Sequence, residues 1–298
     1  MSATVIAHLG YIVIESGIRK FNPFSYSRLD EIVNGKEKFD IVFFGSSRTQ
    51  CHINPCIIDS LTGLNSYNAG KAGSNSLEVR MLLEAYLETH IPPKYVVYNI
   101  DNLTVSNLNT VPNSNLYLFF LNNKKMAQYL EGTFTHVEIL RLIPFTRLLY
   151  FDDYLRNVAI QGHFSKTEVL NSINYCKGHA SNTQDTIKDS EIVPNISKIS
   201  SPDLTHVLAI IEICKENKIK LIFNSTPVIY LNNLPTSNQR VAKIDEVANR
   251  SKIDFIRFDT SKAFSKNDFI DLGHLNRLGS IKYSKLFANE LNRKLISN

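Results

Sequence analysis

Three residues stand out by type and setting. Ser47 follows a short apolar run, Phe39 to Phe44, in the block Gly45-Ser46-Ser47. Asp271 and His274 lie three positions apart in Asp271-Leu272-Gly273-His274-Leu275-Asn276, just ahead of a helical stretch. These types suit nucleophilic acyl transfer. A serine at a strand-to-helix turn presents its hydroxyl to a crevice, and the helix N-terminus behind it favours nearby negative charge. A histidine must take the serine proton, and a carboxylate must fix the histidine tautomer. The Asp271–His274 spacing lets the carboxylate reach Nδ1 and leaves Nε2 for the serine. A developing oxyanion needs aimed donors. The backbone N–H groups of Ser47 and Gly70 are expected to supply two. A side-chain amide, from Asn68 or Asn102, is the expected third. Arg48 and Lys71 flank the same crevice and are the candidates for binding an anionic substrate. Each residue also has a plainer reading: Ser47 and Asp271 as helix caps, His274 as a helix-start residue, Gly70 as a turn glycine, Asp101 and Asn102 as structural, Arg48 and Lys71 as solvated surface charge.

The elements that must position these residues alternate along the chain. Phe39–Phe44 is β-branched and aromatic and closes on small residues, the pattern of a buried parallel strand. Asn65–Gly70 is a second, shorter strand candidate. Ser76 caps a helix to about His90, which Pro92-Pro93 ends. Tyr95–Ile100 is the third strand, ending at Asp101-Asn102. After a break the rhythm resumes: helix 203–217 with Pro202 near its first turn, strand 220–224, helix 238–250, strand 254–258 and a last helix from about 276 to 294. This alternation predicts an α/β domain with a parallel sheet and right-handed crossovers. The candidate residues then fall at strand carboxyl ends, where such folds keep their ligand crevice. Residues 103–200 break the rhythm. Segments 124–131 and 136–158 look helical, and His163 to Ser201 is polar and aperiodic. The whole block reads as a cap or lid inserted into the α/β core.

Composition narrows the field. The 298 residues are 43% hydrophobic and 20% charged, which excludes a disordered chain. The net charge of +5 is scattered, without basic stripes interleaved with aromatics, so nucleic acid is not expected as a partner. The four cysteines, Cys51, Cys56, Cys176 and Cys214, form no CxxC pair and have no accompanying histidine spacing. Neither a zinc site nor a disulfide framework is expected, and free thiols are the default. His52, His90, His163, His179 and His206 lack a partner pattern and are read as structural or surface residues. At the N-terminus, Ala3 to Ile14 is mostly apolar. Twelve residues cannot cross a bilayer core of roughly 30 Å. No basic n-region or cleavage site marks a signal peptide. Residues 1–38 are therefore read as a helix packed on the domain or on a membrane surface, or as the remnant of a membrane anchor.

The blocks taken together resemble the SGNH hydrolase superfamily, the GDSL-type esterases and lipases. Gly45-Ser46-Ser47 matches the nucleophile block, Asn68-Ala69-Gly70 the Asn-x-Gly block, and Asp271-x-x-His274 the last block, followed by Gly279 and a helix from Ile281. One block departs: where the family has Gly-x-Asn-Asp, this chain has Asn99-Ile100-Asp101-Asn102. A carboxylate at Asp101 cannot donate to an oxyanion. The resemblance covers about 39–102 and 203–296. Phe-Gly-Ser-Ser-Arg early and His-Leu-Asn late are similar to envelope members that act in O-acetylation of exopolysaccharide or D-alanylation of lipoteichoic acid. It implies a three-layer α/β/α sandwich of flavodoxin-like type over 39–298, with a mainly helical insertion at 103–200. It implies a serine esterase or O-acyltransferase acting on a carbohydrate or cell-envelope polymer. Ser47, His274 and Asp271 would form the triad, with no metal or organic cofactor. It also implies an envelope location, with membrane association through the N-terminus; a cytoplasmic one is the alternative. Two other functions stay open: a non-catalytic polymer-binding or scaffold protein that kept the fold, and a flavodoxin-like phosphate binder using the first Gly-Ser-Ser turn.

Overall fold

The structure, a computed structural model, describes residues 3–21, 23–101, 109–164, 175–181, 203–229 and 235–296. In chain order the helices are α1 (Ala3–Phe21), α2 (Pro23–Asn34), α3 (Ser47–His52), α4 (Pro55–Thr62), α5 (Ser76–Thr89), α6 (Lys124–Leu130), α7 (Val137–Leu142), α8 (Asp153–Phe164), α9 (Thr205–Glu216), α10 (Pro235–Ser251) and α11 (Arg277–Ile296). The strands are β1 (Ile41–Phe44), β2 (Ser66–Asn68), β3 (Tyr95–Asn99), β4 (Tyr175–Cys176), β5 (His179–Ala180), β6 (Lys220–Ser225) and β7 (Asp254–Arg257).

Five strands form one parallel sheet in the order β2-β1-β3-β6-β7. Alternate residues serve its two faces. On one face Ile41, Phe43, Val97, Ile222 and Ile256 bury against Ile58 of α4 and Tyr283, Phe287 and Leu291 of α11. Right-handed crossovers place α9 and α10 on the opposite side from α4, giving the expected three layers. The strand order reverses between β1 and β3. That switch point opens a crevice at their carboxyl ends, where Gly45–Ser47 and Asp101 follow.

The chain divides into two compact units. One, the sheet unit, is Lys38–Arg80, Ile91–Asn109 and Ile173–Asn298. The other is Met1–Glu37, Met81–His90 and Thr110–Ser172. This differs from an insertion bounded at 103 and 200, because the β4–β5 hairpin belongs with the sheet.

In the second unit, α1 packs along α8, and the expected helix over 136–158 is broken. It ends at Leu142, a 3-10 turn runs over Pro144–Tyr150, and α8 begins at Asp153. Pro144 is the reason: it lacks an N–H and drives Ile143 out of helical geometry, to φ −124° and ψ 80°. The N-terminal helix runs past Ile14 to Phe21.

The cysteines overturn one expectation. Cys56 and Cys176 form a disulfide, while the buried Cys51 and Cys214 take part in none. The bridge anchors the hairpin, which is also held by polar contacts. Lys177 O accepts from Asn68 N–H at 2.9 Å, and Lys177 Nζ lies 2.8 Å from Asp59 Oδ2. The Lys177-Gly178 turn has φ +43° and +88°, and a Cβ on Gly178 would lie 1.9 Å from Asn68 O. Only glycine permits that approach.

Candidate active site

Ser47 is the first residue of α3, directly above the end of β1. Gly45 makes the turn possible. Its φ is +147°, and a Cβ there would meet Thr49 Oγ1 at 2.2 Å and Asn99 O at 3.0 Å. Ser46 is the N-cap by position, yet its hydroxyl caps nothing. It donates instead to Asp101 Oδ2, tying the end of β1 to the end of β3. With no side-chain oxygen folded over the first turn of α3, the Ser47 N–H keeps the character of an orphan helix-start donor.

The triad candidates come together across 227 residues of sequence. Ser47 Oγ lies 2.8 Å from His274 Nε2. His274 Nδ1 lies 2.9 Å from Asp271 Oδ2 and 3.1 Å from Oδ1. Asp271 Oδ1 also accepts the backbone N–H groups of Gly273 and His274, at 2.7 and 2.8 Å. Burial alone would raise the Asp271 pKa. The His274 ring and the two N–H groups outweigh it and hold the carboxyl down at about 2. Ionised Asp271 keeps the proton on Nδ1, so Nε2 faces Ser47 as an acceptor.

A second histidine fixes the base from behind. His52 is fully buried, and its Nε2 accepts the Leu275 N–H at 3.0 Å. Its ring lies edge-on to His274, with centroids 6.1 Å apart. Burial pushes its pKa well below the usual value, and the charges of His274 and Arg48 push the same way. His52 therefore stays neutral and holds the residue after His274. In sequence it was one histidine among several without a partner pattern, because its partner is a backbone amide 223 positions away.

The oxyanion candidates need correction. Asn68 is fully buried, and both ends of its amide are committed. Nδ2 donates to Thr49 O and Ile53 O at 2.7 Å each, and Oδ1 accepts the Gly70 N–H at 2.9 Å. Asn68 thus braces α3 and the loop, and Gly70 has no N–H to spare. Asn102 lies outside the described residues. In the same loop the N–H groups of Lys71, Ala72 and Ser74 go to Gly45 O, Gln50 Oε1 and Lys71 O. That leaves the N–H of Gly73, an exposed residue at φ +77°.

The two substrate-binding candidates part company. Lys71 is 5% exposed, and its ammonium pairs with buried Glu78 at 2.9 Å, so it serves the fold. Arg48 is 9% exposed, and its guanidinium lies against Gly273 in the loop that carries Asp271 and His274. Among the described residues no cluster of three or more His, Cys, Asp or Glu could hold a metal.

No protein-family model matches the chain, and no curated protein matches it. Solved structures are similar to it, among them these three. A lipolytic protein of the G-D-S-L family from Desulfitobacterium hafniense is 11% identical, with a TM-score of 0.41, over 87% of this chain and 99% of that one. A GDSL-like lipase from Bacteroides thetaiotaomicron is 12% identical, with a TM-score of 0.40, over 93% and 99%. A carbohydrate acetylesterase family member from Sinorhizobium meliloti is 9% identical, with a TM-score of 0.39, over 86% and 98%. At these TM-scores, what the site can do has to follow from its own geometry.

Proposed function

We propose that this chain is a serine hydrolase of the SGNH type, an esterase or O-acyltransferase acting on O-acyl groups of a carbohydrate or cell-envelope polymer. The observation that carries the reading is the continuous relay from Ser47 Oγ through His274 to Asp271, with each link at 2.8 to 2.9 Å. In this reading Ser47 Oγ attacks the ester carbonyl carbon while His274 Nε2 takes its proton. The tetrahedral oxyanion is met by the N–H of Ser47 at the start of α3. The C–O bond of the ester breaks, and His274 returns the proton to the leaving alcohol. A water, or a sugar hydroxyl, then attacks the acyl-serine with His274 again as base. Arg48 would meet a negative charge on the substrate beside the triad loop.

An aryl acetate tests this directly. Full-length protein is expected to release the phenol, and adding a sugar acceptor separates hydrolysis from transfer by whether acetate or an acetylated sugar accumulates. No phenol release above the buffer rate counts against the enzyme reading and favours the scaffold.

Two observations support the envelope location. A disulfide of 120-residue separation is at home in an oxidising compartment. On α1, Val5, Ile6, Leu9, Ile12 and Val13 are exposed, a bare apolar surface followed by Arg19 and Lys20. Among the described residues no helix is long and apolar enough to cross a membrane, so α1 would lie at the interface. Co-sedimentation with vesicles containing anionic lipid is expected, and Ile6→Asp with Leu9→Asp should abolish it. Equal sedimentation of that variant would remove α1 from the account.

A further inference from the structure

A cleft of about 520 Å³ opens in the sheet unit where α4, the hairpin and α11 meet, and none of the triad residues lines it. Its long wall is one face of α11: Arg277, Ile281 and Lys285, spaced four and four. At 1.5 Å rise per residue, the two cations stand about 12 Å apart along the helix. They differ from the other cations of α11. Lys282, Arg293 and Lys294 each pair with a carboxylate, namely Asp268, Glu290 and Asp254. Arg277 and Lys285 have no hydrogen-bond or ionic partner among the described residues, and both are exposed.

A second observation points to a ligand. Ser181 follows the hairpin and lines the same cleft, yet it is 7% exposed and its hydroxyl has no hydrogen-bond partner among the described residues. A buried orphan hydroxyl is uncommon in folded proteins and calls for a group to satisfy it. Ile57 and Ile281 add apolar surface between the polar positions. Among the described residues no Phe, Tyr or Trp lines the cleft, and its one ring, His179, is 1% exposed and held by Cys51 O and Ser280 Oγ, so the cleft lacks the open stacking platform that single-stranded nucleic acid needs. Its volume falls within the ordinary range for small-ligand sites, roughly 300–1,000 Å³.

We propose that this cleft binds a short anionic oligomer of sugar or polyol units, with two acidic groups about 12 Å apart meeting Arg277 and Lys285 and a hydroxyl meeting Ser181. Carboxylate and phosphate share the required chemistry. The site binds whether or not Ser47 is reactive, so its failure and the failure of the esterase reading are separable.

Calorimetric titration of full-length protein tests it, with tetragalacturonate, a glycerol-phosphate tetramer, maltotetraose and a hexathymidylate as probes. One or both of the anionic oligomers should bind, and which one does identifies the acid. Maltotetraose should bind at least about tenfold more weakly. Arg277→Ala and Lys285→Ala should each weaken binding about tenfold. Both side chains are exposed, so neither change should disturb folding, and unaltered thermal unfolding is the control. Ser47→Ala should bind as the parent does. Unchanged affinity in the Arg277→Ala/Lys285→Ala double variant would overturn the proposal. So would no binding of either anionic oligomer, maltotetraose binding as tightly as they do, or hexathymidylate binding more tightly than both.

Discussion

Replacing Ser47 by alanine is expected to lower kcat for an aryl acetate by about 10⁴- to 10⁶-fold and to leave KM nearly unchanged. The reason is chemical. The hydroxyl is the atom that forms the acyl bond, and the fold does not depend on it. Its Oγ contacts His274 alone among the hydrogen bonds described, while the turn beneath is held by Gly45 and by the Ser46–Asp101 bond. His274→Ala should cost a similar factor, since without the base the hydroxyl stays protonated. The double variant should be no worse than either single one, because parts that act as a unit lose their function once. Residual turnover would come from binding and from the oxyanion donor. Asp271→Asn should fall by about 10⁴-fold through the wrong histidine tautomer. A set of small, additive losses would mean that the three side chains do not work together.

The second large effect concerns stability. Breaking the Cys56–Cys176 bridge should cost about 2–5 kcal/mol in urea unfolding. The chain-entropy argument puts a closed loop of 120 residues near the top of that range, at about 5 kcal/mol. Cys56→Ser, Cys176→Ser and the double variant should all lose the same amount, since each removes the same bond. The loss should also reach the site. His179 of the hairpin has Nε2 3.1 Å from both Cys51 O and Ser280 Oγ, and so touches α3 and α11, the helices on either side of the Ser47–His274 contact. A loosened hairpin should therefore lower kcat several-fold before the fold is lost. Equal urea midpoints for parent and variants would show that the bridge adds nothing to the native state.

The sheet was legible because β1, β3 and β6 carry short apolar runs closed by small or polar residues, with β2 and β7 spaced around them by helical stretches, and each strand was placed within two residues at either end. The catalytic candidates were legible because the local pattern Asp-x-x-His makes its own contact: the carboxylate reaches the Nδ1 of a histidine three residues on without help from tertiary structure. What failed depended on partners that residue type and spacing do not announce. Lys71 reads as a loop cation until Glu78 is seen buried beneath it. Asn68 and Gly70 read as oxyanion donors, but the turn spends their groups on each other and on α3. The β4–β5 hairpin was lost in a polar stretch because two-residue strands have no periodicity to read. A disulfide and a buried histidine order it instead. The break at Pro144 carried a clear local signal, and apolar spacing on both sides of it masked that signal.

Ser47 must be an activated nucleophile for the relay through His274 and Asp271 to perform the proposed reaction. A fluorophosphonate reacts selectively with such a serine, so the intact mass of full-length protein after incubation with one measures this directly. The expected result is a single adduct that maps to Ser47 and is absent from Ser47→Ala and His274→Ala. Folded protein that takes up no adduct, or takes it up equally with Ser47 replaced, would contradict the account and leave the triad geometry without a reaction to perform.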